Sequence, residues 1–194
     1  MKINKIILLG YMGCGKSAVG SLLKERLGFS YWDLDHFIEE KSKISIPEIF
    51  KTKGEIHFRK MERDYLEKAL LEDPLILSTG GGTPCYYDTM SYLNSLEGVK
   101  TIYLKTSVKE LSRRLFEAQS NRPLLSHLKT IEAFQEFVGK HLFERSVFAI
   151  VTLYPATKLC APEVVNVNCV AESLVTFVIT ALVFTSDTVT GYPA

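Results

Sequence analysis

Apolar positions along this chain gather into short runs separated by longer amphipathic stretches. The first run, "IILL" at Ile6–Leu9, is closed by the glycine-rich "GYMGCGKS" at Gly10–Ser17. A short continuous apolar run ended by glycine reads as a buried strand of a parallel sheet. Val19, Leu22, Leu23 and Leu27 then recur at helical spacing, and Gly28 stops that helix. "FSYWDLD" reads as a second strand ending in acids, with Asp33 and Asp35 alternating onto one face. From Phe37 to Lys53 the pattern predicts a helix, a turn at Ile46–Pro47 and a second short helix. Phe58 to Leu71 predicts a strong helix with Met61, Tyr65, Leu66, Ala69 and Leu70 on one side. "PLILSTGGGT" is a third strand running into a glycine turn, Met90–Leu96 a helix, "KTIYLK" a fourth strand and Val108–Ala118 a helix. A polar loop, "QSNRPLLSHL", precedes a helix over Ile131–Phe148. Strands alternating with helices imply an α/β fold with a doubly wound parallel sheet. No repeat or linker interrupts the pattern, so one domain spanning 1–194 is expected.

The last stretch departs from this rhythm. After Arg145 the only charged side chains are Lys158, Glu163, Glu172 and Asp187. "SLVTFVITALVF", Ser173–Phe184, is apolar and rich in β-branched residues. It is too short for a membrane span, which needs roughly 20 apolar residues, and reads as a packed final helix or a strand. Residues 149–194 thus form an atypical C-terminal segment.

Composition narrows the function classes. The chain has 194 residues, 46% hydrophobic and 23% charged, enough for one sizeable core. A net charge of +1 argues against a broad nucleic-acid or membrane-surface footprint. Cys14, Cys85, Cys160 and Cys169 show no CxxC pairing and no zinc-like spacing with histidine, and read as small apolar residues. Met1–Lys5 leads straight into the first strand, so no leader is expected and a reducing cytoplasm is the default.

Chemistry enters with the glycine loop. Gly10-x-x-x-x-Gly15-Lys16-Ser17 fits G-x-x-x-x-G-K-[ST], with a strand before it and a helix after it. Glycines let successive N–H groups turn inward. The helix N-terminus adds free N–H groups and partial positive charge. Lys16 brings a full charge to the β- and γ-phosphates, and Ser17 offers a hydroxyl to Mg²⁺. A nucleoside triphosphate is the expected ligand.

Three later features bear on what receives the phosphoryl group. Asp33 and Asp35 sit where strand ends open on the ligand crevice of such a sheet. One can order a Mg²⁺ water and the other can take a proton from a hydroxyl. "FRKME" places Arg59 and Glu62 three apart on one helix face. An arginine there can grip a carboxylate bidentately while Glu62 orients it. Gly80, Gly81 and Gly82 end a central strand and let a substrate lie against bare backbone. The plainer readings are a solvated turn with a helix cap from Asp35, a surface ion pair, and a mobile turn.

Taken in order, "GYMGCGKS", "DLD", "FRKME", "STGGGTP" and "NRPLL" resemble the shikimate kinases, small P-loop kinases of the nucleoside-monophosphate-kinase type, from about Lys5 to Arg145. The resemblance implies a three-layer α/β sandwich around a central five-stranded parallel sheet. It implies ATP-dependent phosphorylation of shikimate to shikimate 3-phosphate in aromatic amino-acid biosynthesis, with Mg²⁺ as cofactor. Lys16 and the loop residues Gly13, Cys14, Gly15, Ser17 and Ala18 would bind ATP. Ser17 would ligate the metal, and Asp33 would help through water. Asp35 would bind the acceptor hydroxyls and act as base. Arg59, Gly80, Gly81, Gly82 and Arg145 would hold the substrate, Arg59 and Arg145 together on its carboxylate. Arg122 would be the arginine of a mobile lid near 118–128, and Arg113 or Arg114, with Arg114 preferred, would lie beside adenine. The implied enzyme is a monomer with two small-molecule substrates, acting on neither nucleic acid nor membrane.

Departures from the family pattern cluster at the C-terminus. "RSVFAIVTLYP" lacks the proline and tyrosine that usually follow the Arg145 position, and no arginine follows Arg145. Two rival readings follow: another small-acid kinase of the same fold, of the gluconate type, and a nucleotide-binding protein with impaired turnover.

Overall fold

A computed structural model describes residues 3–118, 125, 127–153 and 163–166, with side chains as far as residue 142. Strand β1 (Lys5–Leu9) lies between β3 (Leu75–Ser78) and β4 (Val99–Lys105). Beyond β3 lies β2 (Ser30–Asp33), and beyond β4 lies a short β5 (Glu163–Asn166), so the order is β2-β3-β1-β4-β5. Every pairing is parallel, with Ile7 opposite Leu77 on one side and Thr101 on the other.

Alternation along β1 builds two cores. Ile6 and Leu8 pack with Val19 and Leu23 of α1 (Lys16–Leu27), Leu111 and Leu115 of α5 (Val108–Glu117), and Phe134 and Val138 of α6 (Ile131–Leu153). Ile7 and Leu9 face the opposite way. They pack with Leu34 and Ile38 of α2 (Leu34–Ser42), Phe58, Leu66 and Ala69 of α3 (Ile46–Ala69), and Met90 and Leu93 of α4 (Thr89–Ser95). A strand with both faces covered has no polar side, which is why "IILL" shows no alternation. The result is the α/β sandwich that the pattern implies.

Local signals held in several places. Gly28 adopts φ 70° and caps α1, as its position after Leu27 predicts. Met61, Tyr65, Leu66, Ala69 and Leu70 all join one core cluster. Cys14 and Cys85 are buried, as expected of small apolar residues.

Other expectations need correction. The predicted turn at Ile46–Pro47 is instead the first turn of α3, because Ser45 is the N-cap and proline is welcome at a helix start. That helix runs on past Lys53 and breaks only at Gly54, with φ 77° and ψ 171°. The second strand stops at Asp33, and Asp35 lies in the first turn of α2. Helix α6 continues to Leu153, past the predicted end at Phe148. The strand β5 falls within the stretch that the pattern left undefined.

Candidate active site

Parallel strands in this order leave a crevice at their C-terminal ends, beside β1, where successive connections depart in opposite directions. The glycine loop leaves β1 into this crevice. Gly10 takes φ 144°, and a Cβ there would stand 2.7 Å from Cys14 Sγ and 2.8 Å from the Leu104 carbonyl oxygen, so only glycine fits. Gly15 precedes α1 with φ 102° and offers no side-chain cap, and no acid sits in the first turn. The N–H groups that begin α1 therefore keep their hydrogen-bonding capacity for an anion. Ser17 and Ala18 are exposed on that first turn, and Gly13 and Cys14 form the loop behind them.

Lys16 folds back over the loop. Its ammonium donates to the carbonyl oxygens of Gly10 (2.7 Å) and Tyr11 (3.2 Å) and lies 3.8 Å from Cys14 Sγ. Arg114 approaches from α5: Nη1 faces the Gly13 and Cys14 carbonyl oxygens at 3.4 Å, while Nε donates to Glu110 at 2.7 Å. Arg113 points away, forked on Glu110 and Glu117 at the surface. The fold thus distinguishes two adjacent arginines that spacing alone left equivalent.

The two aspartates divide differently from the strand-alternation expectation. Asp33 is the N-cap of α2, and its Oδ1 accepts from the backbone N–H of Asp35 (3.1 Å) and His36 (3.3 Å). Asp35 instead points at the third-strand turn: a Cβ on Gly80 would sit 3.0 Å from Asp35 Oδ1, 3.0 Å from Glu62 Oε1 and 3.1 Å from Thr83 Oγ1. Gly80 is what allows these oxygens to close on the backbone. Gly81 and Gly82 follow in the same turn, with Gly82 buried. Burial pushes the Asp35 carboxyl up to about 6, reinforced by Asp33 and then Glu62; Lys16 and Arg59 pull the other way.

Arg59 and Glu62 form a buried ion pair, not a surface one. Arg59 is 8% exposed and Glu62 only 2%. Arg59 Nη1 donates to Glu62 Oε2 at 2.9 Å, and Thr83 Oγ1 donates to Glu62 Oε1 at 2.7 Å. Both oxygens of the buried carboxylate thus have hydrogen-bond donors, as a buried polar group requires. The guanidinium lies over two rings, 4.3 Å from the Tyr86 centroid and 5.2 Å from that of Phe58. Glu55 meets the Nε/Nη2 edge.

Sequence reasoning missed Thr83, Glu55 and Tyr86 in this cluster. Glu55 carried a signal, since it lies four residues before Arg59 on the same helix. Thr83 and Tyr86 are more than 20 residues from Arg59 in the chain; Thr83 meets Glu62, and Tyr86 meets Arg59, only through packing. Arg122 lies outside the described residues. Arg145 lies on the backbone of α6, and its side chain is outside the described set.

Comparison with known proteins bears on this geometry. A sequence model of the family described as "Shikimate kinase" matches residues 12–160. The chain belongs to the shikimate kinase family. A shikimate kinase of Flavobacterium johnsoniae is 42% identical over 147 residues, covering 75% of this chain and 84% of that one. The structure of the Bacteroides thetaiotaomicron shikimate kinase superposes with a TM-score of 0.79 at 32% identity, over 92% of this chain and 97% of that one. A shikimate kinase from Acinetobacter baumannii, solved in complex with shikimate, gives a TM-score of 0.74 at 29% identity, over 96% of each chain. The fold is therefore the P-loop kinase fold. The family match passes Arg145 and reaches Cys160, beyond the motifs themselves, so the shikimate kinase likeness includes the stretch where the local pattern departs.

Proposed function

We propose that this chain transfers the γ-phosphoryl group of ATP to a hydroxyl of shikimate. The observation that carries the reading is the convergence on Gly80 of Asp35 and the Arg59–Glu62–Thr83 cluster, at the C-terminal edge of the same sheet that launches the glycine loop from β1, in a member of the shikimate kinase family.

Phosphoryl transfer asks the protein mainly for positioning and charge stabilisation. The loop amides and the N-terminus of α1 would cradle the phosphates. On nucleotide binding the Lys16 ammonium would leave the Gly10 and Tyr11 carbonyl oxygens for the more negative phosphoryl oxygens. Arg114, against the loop, is the residue for adenine. Asp35 would accept the proton of the attacking hydroxyl, and its position near the neutral range suits a group that must bind and release a proton. Arg59 would grip the carboxylate with a fork that Glu62 and Thr83 hold in place. By their motif positions, Arg145 is assigned to the same carboxylate and Arg122 to the transferring phosphoryl group as the lid closes. Closure would exclude water from the phosphoryl group.

Mg²⁺ fits the donors present. It takes hard oxygen ligands and keeps several waters, so one or two protein oxygens with substrate phosphates suffice. The Ser17 hydroxyl and the Asp33 carboxylate would hold it, the latter through water; among the described residues no cluster of three or more metal-binding side chains competes. When bound it would supply charge neutralisation to the phosphoryl groups. No described helix is long and apolar enough to cross a membrane; the expected small-molecule partners are ATP and shikimate.

The test is a coupled assay of ADP release with shikimate and gluconate in parallel. Turnover with shikimate and little with gluconate supports the reading. Preference for gluconate overturns the substrate, and nucleotide binding without turnover on either acid overturns the activity.

A further inference from the structure

Arg59 carries two carboxylates of very different character. Glu62 is buried, bonded to Nη1 at 2.9 Å, and held from behind by Thr83. Glu55 is 52% exposed and meets the opposite edge of the guanidinium with one oxygen only. Its Oε1 accepts from Nε at 3.4 Å and from Nη2 at 3.3 Å. The same oxygen accepts from the Tyr86 hydroxyl at 2.7 Å. The Nε/Nη2 edge is one that presents two parallel N–H donors to a carboxylate. One oxygen shared between two donors at these lengths satisfies that edge poorly.

We infer that Glu55, held by Tyr86, is a displaceable stand-in for the acceptor's carboxylate and sets the affinity of the Arg59 clamp. The inference rests on the proposed role of Arg59. An incoming carboxylate replaces one long, shared oxygen with two short, charge-assisted bonds. Glu62 stays, because removing it would strand a buried charge. Glu55 can leave, because water reaches it. Its placement also eases the departure: Gly54 breaks α3, so Glu55 begins the second helical segment. A carboxylate is favoured at a helix start even without its arginine. Until substrate arrives, Glu55 keeps the guanidinium oriented over the Tyr86 and Phe58 rings. The apparent affinity for the acceptor is then reduced by the fraction of molecules in which the clamp is closed on Glu55.

Steady-state kinetics of the full chain with shikimate and with its carboxamide analogue test this. Glu55→Gln removes the competing charge. Tyr86→Phe keeps the ring on Arg59 and the charge on Glu55, but removes the hydroxyl that donates to that carboxylate. Both substitutions are at accessible side chains, and Glu55→Ala serves as a second probe of the same contact. Each should lower the shikimate KM about two- to fivefold, the scale of a half-exposed ion pair, with the ATP KM unchanged. The carboxamide cannot displace Glu55, so its KM should stay constant and discrimination should rise by the same factor. A shikimate KM unchanged or raised in all three variants, with wild type still rejecting the carboxamide, overturns the stand-in and leaves the clamp intact. Wild type accepting the carboxamide as readily as shikimate overturns the clamp itself, and the stand-in with it.

Discussion

Replacing Asp35 with asparagine should make the protein more stable at neutral pH and nearly inactive. The carboxyl is held at about 6, against an ordinary value of 3.8, mainly by burial and secondarily by Asp33 and Glu62. The folded state therefore binds its proton more tightly than the unfolded chain does. Stability from this group is fully present below the unfolded value, falls as pH rises from about 4 to about 6, and is flat above. A shift of about two units is worth about 3 kcal/mol at full effect. Asp35 is only partly screened from water, so about 1–2 kcal/mol is the realistic penalty at pH 7. Asparagine keeps the shape and cannot ionise. For a chain of this size 1 kcal/mol moves Tm by about 2–4 °C, so Asp35→Asn should raise Tm by roughly 2–8 °C at pH 7 and by much less at pH 4. Differential scanning calorimetry across that range reads the difference. The coupled assay on the same samples should show kcat/KM for shikimate rising through about pH 6 in wild type and lost in the variant. An equal Tm change at both pH values would refute the desolvation argument. Preserved turnover in the variant would refute the base.

Lys16→Met should lower turnover by about 10²–10³, the usual cost of losing one charge-stabilising contact, with the circular dichroism spectrum retained; near-normal turnover of the purified variant would break the phosphate assignment. Thr83→Val leaves Glu62 Oε1 without its 2.7 Å donor in a buried site. That should cost about 1–3 kcal/mol, read as a lower urea midpoint, and should raise the shikimate KM through a loosened Arg59. Gly80→Ala places a methyl 3.0 Å from carboxylate oxygens of both Asp35 and Glu62. It should destabilise by about 1–3 kcal/mol and reduce shikimate turnover more than nucleotide binding, which fluorescence titration with an ATP analogue measures separately.

What the sequence determined by itself was whatever is encoded within one turn or one strand. Covered on both faces, "IILL" had to be continuously apolar, so the strand was legible without partners. The glycine loop was legible because its φ values and its place before a helix are local demands, as at Gly10 with φ 144°. The ordered motifs then sufficed to indicate the family. Local reasoning failed where a residue's role depends on a boundary of one or two positions. Asp33 and Asp35 share a face if the strand continues; the helix began first, Asp33 became its cap, and Asp35 was turned toward Gly80. Propensity cannot place that boundary, because a capping aspartate and a strand-ending aspartate look alike in sequence. Only tertiary structure decided the rest. Arg113 and Arg114 are adjacent and chemically identical, and α5 packing against α6 and the loop turned one to solvent and the other to Gly13 and Cys14. The pair Arg59 and Glu62 was visible as i, i+3 spacing, yet spacing could not say that it is buried, nor that Thr83 and Tyr86 complete it. Those contacts join α3 to the turn after β3, and the free energy that fixes them is the burial of the apolar faces around them. That burial is a property of the assembled layers and of no single segment.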